Sequence, residues 1–372
     1  MTSIPSFDYL RGLEEDRTET LRAVERVIDS GRLILGPELE AFEEEFATYL
    51  GIDHVVGVAN GTDAITLALR ALEIGPDDEV ITVANTAVPT VAAIRAAGAI
   101  PVFVDVDPDR LLMDTTGLEQ VLSERTRGLI PVHLFGDPAP ISQLQAFAAQ
   151  HGLHLIEDCA QAHGARWGDR LVGTYGVVNC FSFYPTKNLG AFGDAGACTT
   201  SSPEIAQRLR MLRTYGFDAD GHAHVEGHNS RLDEVQAAIL RVRLRALDRR
   251  VAARREVARR YRERLRDVRL PLGDGSDSQH AYHLFAIRVS QRDAVRSALA
   301  ADGIGTGVHY PEPIHRMEAY EFLGYAAGSL PVTEAAAGRL LSLPMFPELR
   351  PEEIDRIADA VNDAVRRHQD CQ

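Results

Sequence analysis

HVVGVANGTDAITLALRALEI, residues 54–74, places one β-strand directly before one α-helix. The first part is rich in valine, as buried strands are, and the second carries apolar residues at helical spacing. Strand and helix go on alternating through residue 160, which predicts a parallel sheet covered by helices on both faces. The other strands predicted here are DEVITVAN (78–85), IPVFVDVD (100–107), TRGLIPVHLFG (126–136) and LHLIEDCA (153–160), and the other helices are VPTVAAIRAAG (88–98), TTGLEQVLSE (115–124) and ISQLQAFAAQHG (141–152).

Further segments flank this alternating core. A helical pattern covers residues 17–49, with a break at Gly36 and Pro37. The apolar runs NCFSFYP (179–185) and AGACTTS (195–201) follow without long helices between them. They bring the predicted sheet to seven strands, most of them parallel.

The C-terminal third has a second α/β pattern. From residue 231 the apolar spacing predicts one long helix. A strand, YHLFAIRVS (282–290), and a helix, RDAVRSALAADG (292–303), come after it, and a last helix is expected near the C-terminus. We therefore predict an α/β protein with a large domain, residues 1–245, and a smaller C-terminal domain, residues 246–372.

The composition is that of a globular protein with an acidic surface. Apolar residues make up 45% of the 372 residues, and the formal net charge is −15. This charge argues against nucleic acid or an anionic membrane as the main partner. The arginine-rich stretch RRVAARREVARRYRERLR (249–266) is accordingly interpreted as a solvated or interface face of a helix.

Cysteine usage and the N-terminus predict a cytoplasmic protein. The four cysteines show no metal-ligand or paired spacing, so we expect small, reduced core residues. The start, MTSIPSFDYLRG, lacks the pattern of a signal peptide, and no apolar run approaches the roughly 20 residues that span a bilayer. The cysteines are Cys159, Cys180, Cys198 and Cys371.

One candidate site lies in NGTDAITLAL (60–69), where a strand gives way to a helix. Gly61 gives the turn conformational freedom, and Thr62 can cap the helix. Free N–H groups at such a helix start suit a phosphate, although a plain capped helix explains the stretch equally well.

LIEDCAQAHGA (155–165) holds a second candidate, Asp158, at the end of an apolar strand. A carboxylate there needs a cation or a hydrogen-bond donor. A helix cap, an arginine partner and the protonated ring nitrogen of a cofactor all satisfy that need. Gln161 and His163 follow within reach of the same space.

The third candidate, FSFYPTKNLG (181–190), places Lys187 after a strand and a proline turn. A lone lysine there could simply reach the surface, and Ser182 could offer its hydroxyl to a phosphate. Together, the three candidates supply what is needed to hold pyridoxal phosphate. Lys187 suits its aldehyde, Asp158 its pyridinium, and the helix start at Gly61 its phosphate. The sequence contains no G-x-S-x-G, H-E-x-x-H or P-loop motif.

At these residues the sequence closely resembles the sugar aminotransferases of the DegT/DnrJ/EryC1/StrS family, pyridoxal-phosphate enzymes with the type I (aspartate-aminotransferase) fold. The resemblance covers nearly the whole chain. It is carried by GRLILGPELEAFEEEFATYLG (31–51), NGTDA (60–64), PVFVDVD (101–107), HLFG (133–136), EDCAQAHGA (157–165), FSFYPTKNLGAFGDAGA (181–197), GHNSRLDEVQAAIL (227–240) and HYPEPIH (309–315).

The resemblance implies a role for each matching residue. Lys187 would form the Schiff base with the cofactor, and Asp158 would pair with its pyridine nitrogen. Gln161 would lie near the ring hydroxyl. A homodimer with shared sites is implied as well, in which Asn229 reaches the phosphate of the neighbouring subunit. The phosphate would also be held by Gly61, Thr62 and Ser182.

One position departs from the family pattern. Members of the family usually have a stretch resembling N-T-[FY]-x-x-T, whose aromatic residue stacks on the cofactor ring. This chain reads NTAVPT (85–90), so Ala87 stands at the aromatic position. Ring contact would then be weaker, or another side chain would supply it.

The implied reaction moves an amino group from L-glutamate (or glutamine) to a nucleotide-linked ketosugar, through pyridoxamine phosphate. Lys187 argues against the dehydratase branch of the family, which has histidine there. Transfer at C3 of a dTDP-linked 3-keto-deoxyhexose is favoured over a C4 ketosugar or a cyclitol ketone. A non-catalytic, cofactor-binding regulator is the alternative of another class. We expect four side chains to contact the sugar nucleotide, although a purely structural role is the alternative for each: His163, Tyr184, His309 and Tyr310.

Overall fold

The computed structural model describes residues 3–270 and 277–369. The helices are α1 (Tyr9–Glu14), α2 (Arg17–Ser30), α3 (Pro37–Leu50), α4 (Gly61–Ala71), α5 (Val88–Ala96), α6 (Leu118–Val121), α7 (Ile141–His151), α8 (Pro203–Leu212), α9 (Glu234–Leu244), α10 (Leu247–Arg264), α11 (Arg292–Ala301), α12 (Pro331–Ala337) and α13 (Pro351–Gln369). The strands are β1 (His54–Val58), β2 (Glu79–Val83), β3 (Ile100–Val104), β4 (Thr126–Leu129), β5 (His154–Asp158), β6 (Arg166–Trp167), β7 (Arg170–Leu171), β8 (Val178–Ser182), β9 (Gly196–Thr200), β10 (Ser278–Gln279), β11 (Phe285–Arg288) and β12 (Leu340–Leu343).

The main sheet has seven strands in the order β1-β9-β8-β5-β4-β2-β3. Its five strands from β8 to β3 pair in parallel. β9 lies antiparallel between β1 and β8. The predicted mostly parallel, seven-stranded sheet is therefore confirmed. Because β9 runs opposite to both neighbours, β1, β8 and β5 all point their carboxyl ends to the same edge.

Three predicted elements differ from the structure. The helix expected from residue 231 is two helices, because residues 245 and 246 form a turn between α9 and α10. Leu244 and Leu247, on either side of this break, pack into the same core. The strand expected over 126–136 ends at Leu129, ahead of a proline at 131 that has no N–H to give to a ladder. The helix expected over 115–124 is a 3-10 turn followed by the single turn of α6.

A second core forms around the two-stranded sheet of β11 and β12. Helices α10, α11 and α13 pack around it, as does Ile4 from the N-terminal segment. Ile4 forms a parallel bridge with Ile304, so this early segment joins the C-terminal core. The division of the chain at residues 245 and 246 stays a prediction.

The cysteines that the structure describes are buried and free, as predicted: Cys159, Cys180 and Cys198. Cys371 lies outside the described residues, as do the first two residues of the N-terminal stretch. Across residues 3–270 and 277–369, no helix combines the length and the apolarity that crossing a membrane requires.

Candidate active site

The carboxyl ends of β1, β5 and β8 meet at a cavity of about 220 Å³. Parallel sheets bind their ligands beyond this edge. The cavity brings together side chains that lie far apart in the sequence. Of the residues predicted to bind cofactor or substrate, these line it: Gly61, Thr62, Asp158, Gln161, Ser182, Tyr184 and Lys187.

The start of α4 forms one wall of the cavity. Asn60 caps the helix, because its side-chain oxygen accepts a hydrogen bond from the N–H of Asp63 at 2.8 Å. In the described part of the chain, the N–H groups of Gly61 and Thr62 have no hydrogen-bond partner. A Cβ on Gly61 would lie 2.6 Å from that of Ser182, so only glycine lets β8 approach this helix start. Unpaired N–H groups next to a hydroxyl form a cradle that fits a phosphate.

Asp158 ends β5 at the floor of the cavity and is 4% exposed. Its Oδ1 accepts the N–H of Ala160 at 3.1 Å, and its Oδ2 accepts the hydroxyl of Thr90 at 2.8 Å. Burial raises the pKa of Asp158, while these two hydrogen bonds and the charge of Lys187 oppose the rise. Among the described residues no arginine pairs with Asp158, so that alternative is wrong. The bond from Ala160 is a local turn contact, and it leaves the carboxylate able to accept a cationic N–H from the cavity.

Lys187 is the only lysine in the chain. Its N–H closes a turn onto the carbonyl of Tyr184 at 2.8 Å, and its side chain enters the cavity instead of extending into solvent. Burial lowers the pKa of Lys187 to about 8, and the charge of Asp158 limits the drop. At pH 7 about a tenth of an amine with this pKa is neutral, far more than for an ordinary lysine, and the neutral amine is the form that attacks an aldehyde.

Gln161 links the cavity to the C-terminal part of the chain. Its Oε1 accepts the N–H of Phe135 at 2.7 Å, which fixes the amide so that Nε2 donates to the hydroxyl of Tyr310 at 3.0 Å. Burial raises the pKa of Tyr310 to about 12, so its hydroxyl keeps its proton near pH 7. Tyr310 thus does not line the cavity itself and contacts it through Gln161.

The remaining predicted residues lie outside the cavity lining. His163 is 1% exposed and packs against Phe181 and Phe183, at centroid distances of 5.4 and 5.6 Å. His309 holds Ser342 through Nδ1 at 2.9 Å. Burial, followed by the charge of Lys187, lowers the pKa of His309, which places it in the electrostatic field of the site.

Asn229 is exposed and also lies outside its own chain's cavity. It forms a bridge with Thr214. The next residue, Ser230, accepts the N–H of Ala59 at 3.1 Å, so Asn229 lies beside the end of β1.

Two threonines of the cavity were missed in the sequence. Thr86 and Thr90 both line it, and their hydroxyl oxygens are 3.0 Å apart. They flank Ala87, which lines the cavity too and brings no ring to it. Among the described lining residues Tyr184 is the only aromatic, and it is 51% exposed. The signal that could have found the threonines is their place directly beyond the end of β2, at the same sheet edge as Asp158.

The residues present fit pyridoxal phosphate. Three kinds of group face one space: the amine of Lys187 with its lowered pKa, the buried carboxylate of Asp158, and the unpaired N–H groups at the start of α4. In the described chain, Asp158 has no salt-bridge partner. These are the partners required by an aldehyde, a pyridinium and a phosphate.

A sequence model of the DegT/DnrJ/EryC1/StrS aminotransferase family matches residues 14–362. The chain is 48% identical to a dTDP-3-amino-3,4,6-trideoxy-alpha-D-glucose transaminase of Micromonospora megalomicea subsp. nigra, over 96% of this chain and 98% of the other. It is 45% identical to a UDP-N-acetyl-3-dehydro-alpha-D-glucosamine 3-aminotransferase of Acidithiobacillus ferrooxidans, over 97% of each chain.

Solved structures agree with these matches. The crystal structure of DesV from S. venezuelae, in complex with a ketimine intermediate, superposes with a TM-score of 0.95 at 47% identity, over 98% of each chain. NtdA of Bacillus subtilis, with bound cofactor PMP, superposes with a TM-score of 0.92 at 31% identity, over 98% of this chain and 86% of the other. The family and the fold class predicted from the sequence are both confirmed.

Proposed function

Because the chain belongs to the DegT/DnrJ/EryC1/StrS aminotransferase family, we propose that it uses pyridoxal phosphate to transfer an amino group from L-glutamate (or glutamine) to C3 of a nucleotide-linked 3-ketosugar. The observation that carries the proposal is the joint position of Lys187 and Asp158 in the cavity. The substrate class rests on relatives of 45% and 48% identity whose names specify a 3-amino or 3-dehydro sugar.

The cavity assigns a role to each part of the cofactor. When bound, the cofactor would supply an aldehyde to carry the amino group and a ring to take up the electron density left by a lost proton. Asp158 would accept the N–H of the protonated ring nitrogen and so stabilise its positive charge, because its carboxyl group lines the cavity and has no salt-bridge partner in the described chain. The N–H groups of Gly61 and Thr62 bind the phosphate, together with the hydroxyl of Ser182. Gln161 presents its amide to the ring hydroxyl.

Lys187 is the group that moves the protons. Once the donor's amine has displaced it from the aldehyde carbon, its amine would carry the proton from the donor's α-carbon to the cofactor. In the second half it would carry a proton from the cofactor to C3 of the sugar. The pKa of about 8 suits both directions, since the protonated and neutral amines are both present near pH 7.

The sugar is expected at the open side of the cavity. Tyr184 is the exposed aromatic residue there, and a hexose ring can stack on it. Tyr310 and His309 come from the C-terminal part of the chain and are the candidates for contacts to the sugar hydroxyls. His163 packs against Phe181 and is not among the residues that line the cavity, which favours its structural use.

A second copy of the chain is needed to complete the site. Among the described residues that line the cavity, Lys187 is the only cationic side chain, and Asp158 and Asp194 are the acidic ones. A phosphate, a donor carboxylate and a sugar diphosphate need more donors than that. We expect a homodimer in which Asn229 of one copy binds the cofactor phosphate in the other.

Exposed apolar residues next to the cavity suit such a dimer. Tyr9 and Phe192 are 44% and 42% exposed and line a hollow with Pro185, two residues from Lys187. Covering them with a second copy would bury apolar area at the mouth of the active site.

One experiment separates the candidate functions. The protein, with pyridoxal phosphate and L-[15N]glutamate, is offered dTDP-linked and UDP-linked 3-ketosugars, and the matching 4-ketosugars, with mass spectrometry of the products. A 15N-amine on the 3-ketosugar is the expected result. Label on the 4-ketosugar alone would assign the C4 reaction. Cofactor binding without any transfer to ketosugars or cyclitol ketones would favour a regulator.

A further inference from the structure

Asp158 is held by a short chain of hydroxyl groups from the other side of the cavity. Thr90 is the third residue of α5, and its hydroxyl lies 2.8 Å from Oδ2 of Asp158. The hydroxyl of Thr86, in the turn before α5, lies 3.0 Å from that of Thr90. All three side chains are buried, with exposures of 4% or less.

The direction of this chain follows from the number of protons available. A hydroxyl donates one hydrogen bond, and an ionised carboxylate only accepts. Thr90 therefore gives its proton to Asp158, and Thr86 must give its own to Thr90. Each donation polarises the next, so the chain strengthens the bond that reaches the carboxylate.

The geometry also fixes the orientation of the carboxylate. Oδ1 is held by the N–H of Ala160 and Oδ2 by Thr90, so the carboxylate cannot turn without breaking one of the bonds. Both threonines are β-branched and have few rotamers, which makes the support stiff. The N-terminal end of α5 adds partial positive charge on the same side.

We infer that Thr90, supported by Thr86, is a positioning residue that holds the Asp158 carboxylate in the orientation and charge state that keep the shared proton on the cofactor's ring nitrogen. The inference rests on the proposed function, because it requires a pyridine ring in the cavity. It explains why two hydroxyl groups are buried at a cavity wall where apolar side chains of the same shape would fit.

Thr90→Val tests it, since valine keeps the shape and removes the hydroxyl. We expect the dissociation constant of pyridoxal phosphate to rise on the order of tenfold, as for loss of a hydrogen bond to a charged group. With ring-15N-labelled cofactor bound, the 15N chemical shift should move from the protonated toward the unprotonated value at constant pH, because a less stabilised carboxylate draws the proton to itself. Thr86→Val should produce a smaller change in the same direction.

Two further variants separate positioning from packing. Thr90→Ser restores the hydroxyl and should recover the wild-type 15N shift. Thr82→Val removes another buried hydroxyl, one that does not line the cavity and donates to the carbonyl of Ile130 at 2.9 Å. This variant should leave the 15N shift unchanged. Folding of each variant is checked by thermal unfolding.

The outcomes distinguish this inference from the proposed function. A wild-type protein that binds no pyridoxal phosphate would end the proposed function itself. A wild-type protein that binds it, with Thr90→Val matching Thr82→Val in affinity and 15N shift, would overturn the role of Thr90 alone.

Discussion

Asp158 and Lys187 face the same cavity, and each shifts the ionisation of the other. Burial lowers the pKa of Lys187 to about 8, while the negative charge of Asp158 raises it. Burial raises the pKa of Asp158, and the positive charge of Lys187 is among the groups that oppose this. Each charge therefore favours the ionised form of the other group and opposes the effect of burial on both.

The lowered pKa predicts how fast Lys187 reacts at each pH. Formaldehyde with cyanoborohydride should label the amine of the cofactor-free protein half-maximally near pH 8, because only the neutral amine attacks. Since the chain has one lysine, mass spectrometry of its peptide reports this residue alone. Asp158→Asn removes the charge that raises the pKa, so its midpoint should lie below that of the wild type. A wild-type midpoint near 10.5 would show that the amine is not desolvated.

Gly61→Ala should damage the phosphate cradle. The added Cβ would lie 2.6 Å from the Cβ of Ser182 and would force β8 and α4 apart. We expect the affinity for pyridoxal phosphate to fall about tenfold or more, given the usual cost of overpacking. Gly75→Ala is the control, because its Cβ would meet only the carbonyl of Ala97 at an ordinary 3.6 Å. Equal affinities in the two variants would argue against the cradle.

Glu234→Gln should destabilise the fold without touching the cavity. The buried carboxylate of Glu234 accepts the N–H groups of Gly36, Glu38 and Leu39 at 2.8 to 3.0 Å and so caps α3. Its loss should cost about 1–3 kcal/mol of unfolding free energy in urea denaturation. Glu44→Gln, on the exposed side of α3, should change little. Similar stability of both variants would refute the capping role.

Shared sites predict complementation between two inactive proteins. Lys187→Ala and Asn229→Ala should each lose activity, the first completely. In a mixed dimer one site carries both changes and the other carries neither. Coexpression in equal amounts should therefore restore about a quarter of the wild-type activity, since half of the dimers are mixed and each has one intact site. No recovery, with mixed dimers demonstrated by mass spectrometry, would place Asn229 in its own chain's site.

The sequence pattern was informative wherever one strand leads to one helix. The alternation through residue 160 predicted the parallel strands. The chemistry of the site was visible because Asp158 ends an apolar strand and Lys187 follows another one after a short turn. The direction of β9 was not predictable, because a fully buried strand has the same composition whichever way it runs.

Long-range hydrogen bonds account for what was missed at the site. Thr90 and Asp158 are 68 residues apart, and nothing in a local window says that a threonine in a helix will meet a given carboxylate. The burial of His163 under Phe181 was missed for the same reason, since its side chain packs against a strand that follows later in the chain. The break between α9 and α10 was hidden because apolar residues occur on both sides of it.

The most direct test of the account is the near-visible absorbance spectrum of the purified protein with pyridoxal phosphate, before and after L-glutamate. We expect a yellow protein whose band bleaches with glutamate. Borohydride reduction before glutamate should fix the cofactor on Lys187, and Lys187→Ala should lack the band while it unfolds as the wild type does. A protein that pyridoxal phosphate cannot turn yellow, or a Lys187→Ala variant with the same band and the same bleaching, would contradict the central claim.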